Sequence, residues 1–476
     1  MRRRDFLRDA ALLLGGGALA AQTQPKLNFI VIFADDLGWA DLGCYGSKVY
    51  ETPNLDRLAS EGVRFTNGYA ACPVCSPTRA SLLTGKYPAR LHLTDWIPGR
   101  KQWPTAKLLT PAFEQQLPLE EVTIAEALKP AGYVSASIGK WHLGGHGFYP
   151  EAQGFDLNLG GTERGSPPSY FAPYKIPGLD ARSDGEYLTD HLTWRAERFI
   201  EENRGRPFFL YLPHFAVHTP LQAKEEMIAR YGARIKPGDA QNDPVYAAMV
   251  ESLDEGVGRI QSKVRELGLE DRTVIVFVSD NGGLRYEGSR RNAVTSNAPL
   301  RAGKGHLYEG GIRVPLIVKW PGRIKAGAIS DAPVSTIDLF PTILAMAGVR
   351  QQRPVDGVDL TPALTGSGRL RRNALYWHYP HYSNQGGVPG AAVRIGNFKL
   401  IEFYEDMRLE LYDLGEDIGE QRNLVQKLPG KAKELHRALV NWRRSVKAAM
   451  PSPNPAYDPE KADQGLTGKE PPTPPV

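Results

Sequence analysis

The chain has little cysteine: three residues in 476, at positions 44, 72 and 75. That excludes a disulfide-stapled scaffold, and a chain this long buries enough apolar surface to fold without one. Beyond its first residues it has no long apolar run, so nothing reaches the ~20 residues a membrane-crossing helix needs. It has no concentrated basic tract. Its formal net charge of +5 is small for its size, which argues against a nucleic-acid partner. It has no internal repeat. With 23% charged and 41% hydrophobic residues it is not a largely disordered chain. The 49 Gly and 38 Pro imply many loops, without a collagen-like period.

What is present begins with an address. Residues 1–21 hold a basic start, an apolar stretch of about a dozen residues and an A-x-A ending, as secretory signal peptides do. Arg3-Arg4-Asp5-Phe6-Leu7-Arg8 resembles a twin-arginine signal, which implies the twin-arginine export machinery as a partner and a periplasmic or extracellular bacterial protein. The segment carries four Arg and two Asp, so the remainder has a net charge near +3.

Short apolar runs bounded by Gly, Asp, Asn or Pro occur at Leu27–Ala34, Tyr133–Ile138, Pro207–Leu212, Thr273–Ser279 and Val314–Lys319. They read as buried strands of a mostly parallel sheet. Helical patterns lie between them at Asn54–Glu61, Val122–Lys129, Tyr187–Glu202, Asp243–Leu267 and Thr336–Ala347. The expected fold class is therefore α/β, a mostly parallel mixed sheet sandwiched by helices. Ala391–Ile395, Phe398–Phe403 and Leu409–Asp413 alternate and are separated by turn residues. They predict a C-terminal antiparallel meander, followed by a helix over Lys431–Met450. The expected division is a catalytic domain over 22–370, a subdomain over 371–450 and a strap or tail over 451–476, where eight of 26 residues are proline.

Ligands of such sheets sit beyond the carboxyl ends of the strands. Three of the predicted strands are followed there by Asp35-Asp36, by Lys140-Trp141-His142 and by Asp280-Asn281. Two adjacent carboxylates repel unless a cation joins them. With Asp280 and the Asn281 amide they form an all-oxygen set, which suits Ca2+ (or Mg2+) better than Zn2+. Cys75 admits three readings on residues alone: a small buried residue, a thiolate nucleophile, or half of a C-x-x-C pair with Cys72.

Cys75-Ser76-Pro77-Thr78-Arg79, continued by Ala80-Ser81-Leu82-Leu83-Thr84-Gly85, resembles the signature of type I sulfatases. Gly132-Tyr133-Val134-Ser135 with Gly139-Lys140-Trp141-His142 resembles the second signature of that family. Asp35-Asp36, Asp280-Asn281 and Lys304 with Glu309-Gly310-Gly311 match further motifs in the family's order, and Leu411-Tyr412-Asp413-Leu414 is typical of its C-terminal part. The resemblance implies an alkaline-phosphatase-like fold and hydrolysis of sulfate monoesters. It implies formylglycine (3-oxoalanine) made from Cys75 by a formylglycine-generating or equivalent maturation enzyme. The hydrated aldehyde is then the nucleophile, forming a sulfate hemiester that collapses by eliminating sulfate. Asp35, Asp36, Asp280, Asn281 and residue 75 are the implied metal ligands. Arg79 is expected to support residue 75 and the metal site, Lys140 and Lys304 to clamp the sulfate, and His142 to assist hemiester breakdown. His218, ahead of Thr219-Pro220, is expected to protonate the leaving alcohol, with His214 as competitor or pocket residue.

Substrate contact is less legible. His92, Asp95, Trp96, Arg100 and Trp103 form one polar-aromatic stretch, and His378, His381, Tyr382, Asn384 and Gln385 another. Such groups suit a sulfated sugar and also suit a domain interface; His381 is the candidate carried forward as a substrate contact. The rivals are a phosphonate or phosphate ester hydrolase of the same superfamily, and a non-catalytic binder of sulfated glycans. The binder predicts loss of Cys75, Lys140 or the aspartates, all of which are present.

Overall fold

Asn28–Ala34, the first strand (β1), is buried at all seven positions, as a strand covered on both faces must be. The computed structural model describes residues 26–285 and 294–462, so the signal segment 1–21 lies outside the described residues. Beside β1 run β7 (Phe208–Pro213) and β8 (Thr273–Ser279), both parallel to it. β5 (Val134–Ile138) and β6 (Leu157–Leu159) continue the parallel pairing beyond β7. On the other side follow β9 (Leu316–Lys319), β2 (Val63–Phe65) and β10 (Ala328–Ser330). The order is β10-β2-β9-β8-β1-β7-β5-β6.

Side chains of β1 divide by the period of two. Ile30 and Ile32 meet Leu210, Leu212 and the helices Leu188–Glu202 and Pro244–Glu266. Phe29, Val31 and Phe33 meet Phe209, Tyr211 and the helices Cys75–Thr84 and Leu339–Met346. The sheet is thus sandwiched as expected. One strand departs from the parallel expectation: β9, within the predicted Val314–Lys319 run, is antiparallel to β8. The chain between them returns to the end of the sheet it left, since Gly282 N–H donates to Gly311 O. A parallel strand would need a crossover to the opposite end.

The C-terminal sheet has the three predicted strands, β13 (Gly390–Ile395), β14 (Phe398–Phe403) and β15 (Leu409–Asp413). A fourth, β12 (Leu375–Tyr379), pairs antiparallel with β13. The following helix is Pro429–Ser445, ending five residues before the expected Met450. Lys447 has φ of +53°, and the released chain lets Ala449 O accept from His378 Nε2. Two ribbons complete the strands: β3 (Gly68–Tyr69) with β11 (Val334–Ser335), and β4 (Leu108–Leu109) with β16 (Ser452–Pro453). Through β16 the start of the predicted tail straps the 103–109 segment. The Asn454 amide donates to Pro104 O and Ala106 O, and Trp103 Nε1 donates to Ala462 O.

Candidate active site

The carboxyl ends of β1, β5, β7 and β8 meet the N-terminus of the helix Cys75–Thr84. Cys75 is its first residue, after Val74 in extended conformation and with no side-chain cap. The first-turn N–H groups therefore remain available to an anion. Thr78 Oγ1 accepts from Cys72 N and donates to Cys72 O, tightening the turn that presents Cys75. Cys72 is a free, buried thiol.

Arg79, one turn on, is fully buried. Its Nε and Nη2 donate to Asp280 Oδ2 at 3.0 and 2.7 Å, and its Nη1 donates to Lys140 O at 3.1 Å. It thus joins the ends of β8 and β5 to the helix. Lys140 Nζ lies 2.5 Å from Asp35 Oδ2, and Lys304 Nζ lies 2.7 Å from Asp36 Oδ1. Asp36 takes a left-handed φ of +59°, so that its N–H donates to Asp280 Oδ1 at 3.1 Å. Asn281 Nδ2 donates to Asp36 Oδ1 at 2.8 Å. Three carboxylates face three cationic side chains in one buried group.

Two oxygens stand out. Asp35 Oδ1 and Asn281 Oδ1 are buried without a hydrogen-bond partner. Orphaned buried oxygens are costly, and hard oxygen donors are what Ca2+ and Mg2+ take. The donor set therefore fits such a cation. His218 joins the cluster as well: Nε2 is 3.7 Å from Asp36 Oδ2, and ligand atoms of Asp35, Asp36 and His218 lie within 4.8 Å of one another.

Electrostatics separate the members. Burial, with Asp280 adding repulsion, pushes Asp35 up to about 8 against the pull of Lys140 and Arg79. Burial would raise Asp36 too, but Lys304, His218 and Lys140 hold it below the usual carboxylate range. Burial and then Lys304 bring His218 down to about 3. His142 is lowered well below its ordinary value by burial and then by Lys140. It is thus a neutral imidazole, and with Nε2–H donating to Ile97 O at 2.5 Å its Nδ1 is the acceptor, 3.4 Å from Cys75 Sγ. Burial raises the Cys75 thiol although Lys140 and Lys304 oppose it. An un-ionised thiol is a poor nucleophile, so this environment disfavours the plain thiolate reading of Cys75.

The structure therefore brings together Asp35, Asp36, Cys75, Arg79, Lys140, His142, His218, Asp280, Asn281 and Lys304. His214 and His381 stand differently. His214 follows β7 but is buried with both ring nitrogens unpartnered among the described residues. His381 Nε2 meets Thr94 Oγ1 at 2.8 Å, and its ring packs on Phe113 and Tyr379. His378, in the same predicted cluster, spans Tyr404 OH and Ala449 O. Two supports were not readable from sequence: the Ile97 carbonyl that sets the His142 tautomer, and Asp41, which braces the turn after Asp36. A backbone carbonyl leaves no residue-type signal, and Asp41 resembles any loop acid.

Residues 27–349 match the family model described as Sulfatase, and residues 302–445 match the one described as N-sulphoglucosamine sulphohydrolase, C-terminal. Arylsulfatase A of Homo sapiens is 34% identical over 488 residues, covering 90% of this chain and 89% of that protein. N-acetylgalactosamine-6-sulfatase of Canis lupus familiaris is 36% identical over 420 residues, covering 82% and 74%. The crystal structure of Ps i-CgsB in complex with k-i-k-neocarrahexaose has a TM-score of 0.76 at 30% identity, covering 93% of this chain and 96% of that one. With its signatures gathered at one anion-ready centre, the chain belongs to the type I sulfatase family of the alkaline phosphatase superfamily and is a sulfuric ester hydrolase.

Proposed function

We propose that this sulfatase acts on sulfated carbohydrate, with formylglycine at position 75 and a hard divalent cation, Ca2+ or Mg2+, held by Asp35, Asp36, Asp280, Asn281 and residue 75. The observation that carries the reading is the buried group in which Asp35, Asp36 and Asp280 face Arg79, Lys140 and Lys304 at the start of the Cys75 helix. A cation on the orphaned oxygens of Asp35 and Asn281 would compensate the carboxylates and release Lys140 and Lys304 toward a sulfate. When bound, the cation polarises a sulfate oxygen and acidifies the attacking hydroxyl; formylglycine supplies that hydroxyl as its hydrate.

The chain's own groups do the rest. Lys140 and Lys304 hold the sulfuryl oxygens and stabilise charge that grows on them. His142 Nδ1, neutral and pointed at position 75, accepts a proton there. His218 Nε2 lies at the edge of the group. The ring is neutral by itself, and the negative charge of a bound sulfate would favour the imidazolium, whose Nε2–H is then the proton for the departing sugar oxygen as the S–O bond breaks. Arg79 keeps Asp280 and the Lys140 backbone in register.

Carbohydrate as the leaving group is supported by the N-acetylgalactosamine-6-sulfatase relative and by the neocarrahexaose complex. It is also supported by aromatic and polar side chains in the two segments beside the site, where Arg100 stacks on Trp103 and donates to Ser383 O. Export is supported by the signal-like start. Among the described residues no helix is long and apolar enough to cross a membrane. A maturation enzyme and the export machinery complete the proposed partners.

The test combines two measurements on protein co-produced with a maturation enzyme. Mass spectrometry of the Cys75 peptide is expected to show the aldehyde. Sulfate release from a panel of sulfated mono- and disaccharides is expected to exceed that from aryl sulfate and to fall with a chelator. Fully active protein with unmodified Cys75 refutes the formylglycine assignment. Turnover of aryl sulfate with no sulfated sugar accepted refutes the carbohydrate assignment.

A further inference from the structure

A second group of buried charges lies between the catalytic body and the C-terminal sheet. Glu309, which opens the short helix Glu309–Ile312, has both carboxylate oxygens engaged. Lys399 Nζ, from β14, lies 2.9 Å from Oε1; Arg313 Nε and Tyr69 OH donate to Oε2 at 2.6 and 2.8 Å. Lys399 also pairs with Glu420 Oε1 at 2.9 Å, and Glu420 Oε2 accepts from the Glu309 N–H at 2.6 Å. The Lys399, Glu309 and Glu420 side chains are fully buried. Arg394 Nη1, from β13, donates to Tyr69 OH.

This network stands directly behind two groups of the reacting centre. Lys304 lies five residues before Glu309, and its N–H donates to Gly283 O at 3.1 Å. Gly305 N–H donates to Pro73 O, two residues before Cys75, at 2.8 Å. Gly282, which follows Asn281, donates to Gly311 O at 3.0 Å, and a Cβ on Gly282 would lie 1.8 Å from Gly310 O. The turn after Asp280-Asn281 therefore rests on the turn Glu309-Gly310-Gly311 with no room between them. Glu309 thus anchors the turn on which the backbone after Asn281 rests, five residues after Lys304.

We propose that Lys399 and Glu420, both from the C-terminal part of the chain, are positioning residues of the sulfatase centre. They act through Glu309 and the paired glycine turns to place Lys304 and Asn281. The inference rests on the assignment of Lys304 to the sulfate and Asn281 to the cation. Burying ions is no stronger a glue than apolar packing of the same volume. What charge-assisted hydrogen bonds add is direction, which a glycine-rich turn carrying a sulfate-binding lysine needs. The C-terminal sheet is then a working part of the active site without touching substrate.

The test uses the full-length, matured protein and its Lys399→Met and Glu420→Gln variants, studied well below their melting midpoints. Four constants are read: kcat and KM on an aryl sulfate, and calorimetric affinities for inorganic sulfate and for Ca2+. In Lys399→Met, kcat/KM and both affinities are expected to fall about 10–100-fold, the usual effect of losing a group that orients ligands. Glu420→Gln keeps the Lys399–Glu309 pair and is expected to move the same constants less. A Lys399→Met protein that melts cooperatively with wild-type sulfate and Ca2+ affinities overturns the proposal, because a purely structural role would leave both unchanged. If Lys399→Met does not fold, Glu420→Gln decides alone: wild-type constants overturn the proposal, and a matched loss in sulfate and Ca2+ affinity supports it. Failure of the sulfatase reading looks different, as wild-type protein inert on every sulfate ester. The calorimetric constants of the variants still decide positioning in that event.

Discussion

At the scale of single residues the centre depends on side chains that touch neither sulfate nor cation. Asp41 is an example. Its Oδ2 accepts from Gly38 N at 2.8 Å and from Tyr246 OH at 2.6 Å; its Oδ1 accepts from Thr295 Oγ1 at 2.9 Å and from Gln241 Nε2 at 3.0 Å. Four donors on one buried carboxylate brace the loop that carries Asp36 in its left-handed conformation. An amide cannot take that place, since either orientation turns an N–H toward two donors. Asp41→Asn is therefore expected to cost about 1–3 kcal/mol, as buried donors lose their acceptor. By loosening Asp36 it is also expected to weaken Ca2+ binding about tenfold. A urea melt and a calorimetric Ca2+ titration check the two effects; unchanged Ca2+ affinity in the variant would show that Asp41 serves the fold alone. Legibility differs sharply at this scale. Lys140, Asp280 and Cys75 carry recognisable chemistry at recognisable distances along the chain. Asp41 does not, because its acceptors' partners come from residues up to 254 positions away.

At the scale of elements, what the sequence revealed follows burial. Strands covered on both faces, such as Asn28–Ala34 and Thr273–Ser279, announce themselves as unbroken apolar runs. The direction of β9 did not, because direction is set by where the preceding loop ends, and that is a tertiary fact. β12 was hidden for another reason: Leu375–Tyr379 does not alternate, and His378 within it groups with the polar-aromatic cluster of His381, Tyr382, Asn384 and Gln385, yet Trp377 and Tyr379 are core residues. His378 between them clasps Tyr404 OH and Ala449 O at 2.8 Å each, fastening β12 to β14's end and to the chain after the last helix. A neutral ring serves both contacts, with Nε2–H donating to Ala449 O and Nδ1 accepting from Tyr404 OH. Burial, with Arg443 adding to it and the Ala449 carbonyl opposing, lowers His378 to about 4. An unfolded histidine titrates near 6.5. The folded value is the depressed one, so the contribution is complete above about pH 6.5 and is lost as pH falls toward 4. Its size is about 3 kcal/mol. His378→Gln is expected to be less stable at pH 7 and to close most of that gap by pH 4, since glutamine does not titrate. Urea midpoints of the two proteins across this range check it; a gap that stays constant with pH would show that His378 does not titrate on unfolding.

At the scale of the whole molecule, the division into a catalytic body and a C-terminal sheet is a division of topology more than of interior. One apolar cluster holds Tyr69, Cys72, Val74, Leu307 and Ile312 from the first part together with Leu375, Trp377, Tyr379, Ile401 and Tyr412 from the second. Another joins Tyr87 and Ala89 to Val393, Leu435 and Trp442. The Glu309–Lys399–Glu420 network lies in the same seam. Releasing the C-terminal sheet would expose both clusters and leave Glu309 facing Arg313 without Lys399. It would also free the glycine turns behind Lys304 and Asn281. Domains that share only a thin, polar boundary unfold separately; these two parts lack such a boundary. The matured protein is therefore expected to unfold in a single calorimetric transition, and β13 and β14 are expected to exchange their amide protons with the same opening energy as β1 and β8. On the proposed ligand set, Ca2+ would bind only where Asp35, Asp36, Asp280 and Asn281 are assembled. At a concentration 100-fold above its dissociation constant it should stabilise that one transition by about 2.7 kcal/mol. The protection of β13 and β14 should rise with that of β1, although the proposed ligands lie in neither of the C-terminal strands. A chelator that lowers protection of β1 and β8 while leaving β13 and β14 unchanged, or a scan that resolves two transitions, would show the two parts to be energetically separate. The positioning role of Lys399 would then have to act without the shared interior.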